Sequence, residues 1–150
     1  MALEEYNGKR DPKKTTEPFD SSAGLKHPVY VIQEHHASHL HWDLRLEFDG
    51  VLRSWALPKE PPMEAGVKRL AVAVEDHPLS YATFEGRIPD GEYGAGQVRI
   101  WDRGTYELKE AKDGKISIGL KGDRLQGGYE LIRTRMGGKE KNWLFFKKTG

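Results

Sequence analysis

Four of the six histidines, His35, His36, His39 and His41, fall within seven residues, and the stretch they open runs on to Phe48 as HHASHLHWDLRLEF. Read as an extended segment, Leu40, Trp42, Leu44, Leu46 and Phe48 alternate with His39, His41, Asp43, Arg45 and Glu47. One face is therefore apolar, and the other carries imidazole, carboxylate and guanidinium. His41 and Asp43 lie two apart on the polar face, within reach of a single ion, and His35 arrives from the end of the preceding run across a tight connection. Two imidazoles and a carboxylate suit manganese, zinc or iron better than magnesium, and three protein ligands leave positions open for water and substrate. Arg45, one step further along the same face, can grip a phosphate beside the metal. A guanidinium there needs an anionic partner, and Asp43, Glu47 or a phosphate could each serve. The plainer reading is a set of surface histidines with Asp43 in an ordinary ion pair with Arg45; His36 and His39 are the obvious decoys.

A second polar cluster, EDHPLSYATFEG from Glu75 to Gly86, follows the apolar run Leu70 to Val74 and so sits at the end of a strand, where barrel-mouth sites tend to be built. His77 and Tyr81 there can donate to a phosphate oxygen or protonate a leaving alkoxide. Alone, the same residues also read as a capped turn with Tyr81 a core ring whose hydroxyl is wet. IPDGEYGAG, from Ile88 to Gly96, is rich in glycine, but it fits neither a Walker loop nor a dinucleotide fingerprint and reads as a wide turn. Neither GxSxG nor HExxH occurs, so serine-hydrolase and zincin chemistry have no footing.

The elements that must position these groups are short. At 150 residues the chain has room for one domain with a real core. Residues 1–27 are polar, carry Gly8, Pro12, Pro18 and Gly24, and read as a mobile arm, with Thr15 to Ser22 able to form one helical turn. From Pro28 onward, strand-like runs recur between turn signals: Val29 to Gln33, Leu40 to Phe48, Val51 to Leu57, Leu70 to Glu75, Gln97 to Trp101, Thr105 to Leu108, Lys115 to Leu120, Tyr129 to Thr134 and Trp143 to Lys147. Asp49-Gly50 between two of them is a two-residue hairpin signal. Pro61 to Val67 can form a single helical turn. The expected fold is all-β, one compact antiparallel barrel of about eight or nine strands over residues 28–150, closed because closure hides edges.

Composition narrows the function classes further. With no cysteine, disulfides, zinc fingers and thiol nucleophiles are excluded. No apolar stretch approaches the roughly 20 residues of a membrane span, and the start lacks the apolar centre of a signal peptide, so a soluble, cytoplasmic protein is expected. The net charge of +1 gives no strong basic excess, so attraction to nucleic acid would have to be local. The bases from Lys121 to Lys148 either supply it or form a solvated edge.

Taken in order, His35, HxD at His41 to Asp43, Arg45, SWALPK at Ser54 to Lys59, VEDHPLSYATFEG at Val74 to Gly86, IPDGEYGAG at Ile88 to Gly96 and NWLFFKK at Asn142 to Lys148 resemble the 3'-phosphoesterase module of bacterial ATP-dependent DNA ligase D and its stand-alone relatives. The resemblance covers nearly the whole chain. It implies a β-barrel that heals 3' ends of DNA or RNA-tipped DNA: a metal-dependent phosphodiesterase step removes a terminal ribonucleoside, and a phosphomonoesterase step leaves a 3'-OH. It implies His35, His41 and Asp43 as metal ligands, with manganese ahead of zinc or cobalt, and Arg45, His77 and Tyr81 as phosphate-binding or activating groups. Gln33, Lys59, Arg69 and Glu75, and in the arm Arg10, Asp11 and Glu17, match positions that contact substrate or support the site. RDPKKTTEP carries Pro12 where the family has an aromatic, and His36 and His39 stand where it more often has an acid and a base. A monomer working with a ligase and a polymerase of end joining is the implied setting, the chain being either a stand-alone enzyme or an excised domain. The rival readings are a non-catalytic barrel that binds nucleic-acid ends, a scaffolding β-domain, and a metallo-β-lactamase-type nuclease; the last would need another His where Leu44 stands.

Overall fold

The computed structural model of the chain describes residues 26–89, 95–134 and 141–149. Its strands are β1 (Val29–His36), β2 (Leu40–Phe48), β3 (Val51–Leu57), β4 (Lys68–Pro78), β5 (Gly86–Ile88), β6 (Gly96–Lys112), β7 (Lys115–Gly122), β8 (Gln126–Arg133) and β9 (Asn142–Lys147). A short 3-10 helix, Leu79–Thr83, joins β4 to β5. Because β1 pairs with both β2 and β6, the order β1-β2-β3-β4-β9-β8-β7-β6 closes into an eight-stranded antiparallel barrel, and β5 is an extra strand on the first half of β6. The all-β barrel expected from the sequence is the fold found.

The β2–β3 hairpin turns on Asp49 and Gly50, both at positive φ (49° and 83°), as a two-residue turn of this kind requires. Its register pairs Arg45 with Ser54 and Asp43 with Ala56. Inside the barrel lie Tyr30, Ile32, Leu44, Leu46, Trp55, Leu57, Ile118, Tyr129, Leu131 and Phe145 with their neighbours, so the apolar face of β2 is core from Leu44 onward. Leu40, assigned to that face by alternation, is 43% exposed, because it sits at the hairpin end past the core.

Two expectations need correction. Gln97 to Trp101 and Thr105 to Leu108 are not separate strands: both belong to the continuous β6. Gly104 between them breaks nothing; a Cβ there would collide with the Lys121 carbonyl oxygen, so glycine lets β6 pass close to β7. Pro61 to Val67 is irregular rather than helical. The arm, the turn proposed for Thr15 to Ser22 and most of the glycine-rich segment after Ile88 lie outside the described residues. No helix among the described residues is long and apolar enough to cross a membrane.

The polar face of β2 does not open into a barrel mouth. Gln33, Asp43, Arg45 and Ser54 alternate with core residues and therefore lie on the outer side of the wall, yet all are buried. Their cover is the 3-10 helix, which packs Tyr81 and Ala82 against Val29, Val31 and Leu52 in a second apolar cluster. Gln33 and Arg45 on that wall are thus held by a strand below and the helix segment above.

Candidate active site

The ladder of β1 and β2 sets His35 opposite His41 and Gln33 opposite Asp43. His35, His41 and Asp43 each offer one ligand atom within 4.8 Å of the others. His35 Nδ1 is 3.5 Å from Asp43 Oδ2, and His41 Nε2 is 3.3 Å from Asp43 Oδ1. Ligand atoms held about 2.1 Å from one divalent ion at tetrahedral or octahedral angles stand about 3.0–3.4 Å apart, so the two His–Asp separations are close to those of a shared ion, and the 4.8 Å span of the set must draw in for all three to bind it. The His39 carbonyl oxygen lies 3.2 Å from His41 Nδ1. A proton donated there leaves the Nε2 lone pair turned toward Asp43, the orientation that a ligating histidine needs.

Burial alone would raise the Asp43 pKa. His35 and His41 beside it, and the Arg45 charge, outweigh that and hold its carboxyl well below the usual carboxylate range. It is ionised at neutral pH, as a ligand must be. In the metal-free protein the hydrogen bond with Asp43 raises His41 above its ordinary value, against the opposing effect of burial. The sign follows: this pairing stabilises the metal-free fold most below about pH 6.5, and the contribution is lost as pH rises through the raised value. Metal uptake needs the neutral ring, so metal affinity changes the other way. Calorimetric titration with zinc or manganese at about pH 6 and about pH 8 should show at least roughly tenfold tighter binding at the higher pH, with protons released. Equal affinity at both values would remove His41 from the ligand set.

Arg45 is 3% exposed and held from three sides. Its Nε donates to Gln33 Oε1 at 2.6 Å, Nη1 donates to Ser54 Oγ at 2.8 Å, and Nη2 lies 3.5 Å from Asp43 Oδ2. The guanidinium also sits over the Tyr81 ring, 4.8 Å from its centre. Gln33 in turn donates through Nε2 to the carbonyl oxygens of Tyr81 and Phe84 at 2.8 and 3.1 Å. One buried amide thus ties the arginine to the covering helix. His77 pairs with Leu52 across β3 and β4, and its ring meets Tyr81 edge-on at 4.9 Å. His77 Nδ1 lies 3.0 Å from the Glu75 carbonyl oxygen, and a proton donated there leaves Nε2 as the lone-pair nitrogen of the neutral ring. Across the wall the order is the triad of His35, His41 and Asp43, then Arg45, Tyr81 and His77: the groups of the two sequence clusters are neighbours.

The remaining expected residues divide. Gln33 is a central member, and Glu75 takes part through its backbone. Lys59 is exposed just past β3 at the triad end of the sheet, and Arg69 at the start of β4 donates to the Glu60 carbonyl oxygen at 2.8 Å and pairs with the core residue Phe145, which puts it on the face away from the triad. Arg10, Asp11 and Glu17 lie outside the described residues. The residue that sequence reasoning missed is Ser54. The signal was available, because a two-residue turn centred on Asp49-Gly50 forces Arg45 and Ser54 to face each other.

Residues 33–133 match the family described as DNA Ligase D 3'-phosphoesterase domain. The chain is 49% identical to the multifunctional non-homologous end joining protein LigD of Pseudomonas aeruginosa over 97% of its length and 18% of that protein's. It is 51% identical to the LigD repair protein of Mycobacterium tuberculosis over 88% of its length and 18% of that protein's. With the LigD protein of Mycolicibacterium smegmatis it shares 45% identity over 95% of its length and 20% of that protein's. The chain therefore spans about a fifth of the curated relatives it matches, and the stretch shared with them contains the whole triad and its arginine. On that match and this barrel, the chain belongs to the DNA ligase D 3'-phosphoesterase domain family.

Proposed function

We propose that the protein is a metal-dependent phosphoesterase that heals 3' ends at DNA breaks. It would remove a 3'-terminal ribonucleoside to leave a 3'-phosphate, then hydrolyse that phosphate to a 3'-OH. The observation that carries this reading is the shared aspartate: Asp43 belongs to a three-ligand set and also faces the guanidinium of a buried arginine. A metal ligand set and a phosphate-binding cation side by side are what phosphoryl transfer requires.

In this reading His35, His41 and Asp43 hold the ion, manganese ahead of zinc or cobalt. Once bound, such an ion supplies Lewis-acid polarisation of a phosphate oxygen. Arg45, kept in place by Gln33 and Ser54, neutralises charge growing on the phosphoryl oxygens at no cost in reorganisation. His77 and Tyr81 lie beside Arg45 as donors to the phosphate or the leaving oxygen. In the diester step water adds to phosphorus and the P–O5' bond breaks, the departing 5'-oxygen taking a proton. In the monoester step the 3'-oxygen leaves instead. His77 therefore weighs differently in the two reactions, since they release different alcohols. Lys59, Arg69 and Glu75, and in the arm Arg10, Asp11 and Glu17, are assigned by the family resemblance alone, as groups that contact substrate or support the site. The relatives' names place them in end joining, which suggests work beside ligase and polymerase domains, in the cytoplasm and as a monomeric unit.

The rival is a barrel that binds DNA ends without turnover. Release of inorganic phosphate from a 3'-phosphate oligonucleotide, measured with and without manganese, separates the two. Metal-stimulated release is the expected result, whereas tight binding with no release would favour the rival.

A further inference from the structure

The wall that carries the triad continues sideways into a ledge of apolar groups, with the Glu85 carboxylate alongside accepting from the Ile100 N–H at 2.7 Å. His35 pairs with Val98 on β6, and Val98 pairs with Gly86 on β5. These three share one face, and Gly86 lies two strand spacings, roughly 10 Å, from His35. A Cβ added at Gly86 would stand 3.8 Å from the Phe84 ring, an ordinary van der Waals contact, so the ring borders the open space above the glycine. Phe84 is half-buried and leans on Tyr81 with ring centres 5.0 Å apart. Its carbonyl oxygen accepts a hydrogen bond from the same Gln33 amide that fixes Arg45. The Phe84 main chain is therefore tied to the same amide as the Arg45 guanidinium.

The two flanks of the triad differ in chemistry. On the β3–β4 side Lys59 stands exposed just past β3, suited to the phosphates of the strand running up to its end, whereas Arg69, paired with the core residue Phe145, lies on the inner face. On the β6–β5 side this face offers Val98, Gly86 and the Phe84 ring; Arg87 and Arg99 alternate to the opposite face. A 3'-terminal nucleoside has no further phosphate but does have a base, and an aromatic ring beside a glycine gap suits a base. We propose that Phe84 is the stacking surface for the base of the 3'-terminal nucleoside, the part of the substrate that departs in the diester reaction. This rests on the phosphoesterase reading above and adds a substrate-recognition residue to it.

The test compares two substrates: a primer-template ending in one 3' ribonucleotide, and the same duplex ending in a 3'-phosphate. Only the first carries the leaving base. Phe84→Leu keeps apolar bulk against Tyr81 and removes the aromatic face. The ratio of kcat/KM for the diester to that for the monoester should fall about tenfold in Phe84→Leu relative to the unaltered protein. In the unaltered protein, replacing the terminal ribonucleoside with an abasic ribose should slow the diester step by a similar factor, a comparison that needs no folded variant. An unchanged ratio, or an abasic end cleaved as fast as the nucleoside, overturns the stacking role while leaving the phosphoesterase reading intact. Failure of the unaltered protein to process either end with manganese overturns that reading and the stacking site together.

Discussion

Asp43→Asn and His41→Ala each lower metal affinity by at least about a hundredfold and turnover of a 3'-phosphate end by about a thousandfold. The expectation follows from what Asp43 touches. It reaches His35 at 3.5 Å, His41 at 3.3 Å and Arg45 at 3.5 Å, so one carboxylate both joins the ligand set and balances the buried guanidinium. Asparagine keeps the shape but loses the charge, leaving Arg45 with a weaker partner and the ion with one anionic ligand fewer. His41 is the cleaner probe, because its side chain is 27% exposed and its removal disturbs the core less. Metal titration of purified, stripped variants, with circular dichroism to show that they are folded, reads this directly. A folded His41→Ala variant that binds metal and turns over like the unaltered protein would contradict the ligand assignment.

Arg45→Lys lowers kcat/KM by about a hundredfold while metal affinity stays within a few fold. Lysine preserves the charge, but its three N–H groups radiate from one nitrogen and do not reproduce the planar fork by which Nε meets Gln33 Oε1, Nη1 meets Ser54 Oγ and a further edge can meet a phosphate. Breaking this buried network also leaves Gln33 or Ser54 short of a partner, so the variant should be less stable by about 1–3 kcal/mol. Steady-state kinetics beside metal titration separate the two functions of the wall: Asp43 and His41 variants lose both metal and turnover, Arg45→Lys mainly turnover. Loss of metal equal to loss of turnover in Arg45→Lys would mean that the arginine acts through the ion site rather than on the phosphate.

Most of this site was legible because period-two alternation and one turn settle a hairpin. Asp49-Gly50 places the bend, and the positions of Asp43, Arg45, Ala56 and Ser54 follow by counting outward. His35 came from the preceding strand because the connection to β2 is too short to carry it elsewhere. Burial was not legible. Alternation separates an outer from an inner face but cannot tell that a 3-10 helix, Leu79–Thr83, folds back over the outer one and brings Tyr81 onto Arg45. That return depends on Gln33 reaching the Tyr81 and Phe84 carbonyls, a contact between residues 48 and 51 positions apart in sequence. The division of β6 into two runs has a similar cause: the polar Asp102 and Arg103 and the small Gly104 interrupt the strand-like pattern in one dimension, while in the fold that glycine permits close passage of two strands.

The most direct test of the central claim, that this wall carries a metal-dependent 3'-end hydrolase, is a product analysis. Metal-stripped protein is incubated with a 5'-labelled primer-template bearing a single 3' ribonucleotide, manganese, zinc or cobalt is restored, and the labelled strands are resolved over time. The account predicts that the primer first shortens to a 3'-phosphate species and then becomes a 3'-OH species, and that neither forms in chelator or with His41→Ala. A primer left intact under every metal, or shortened equally well in chelator, would contradict it.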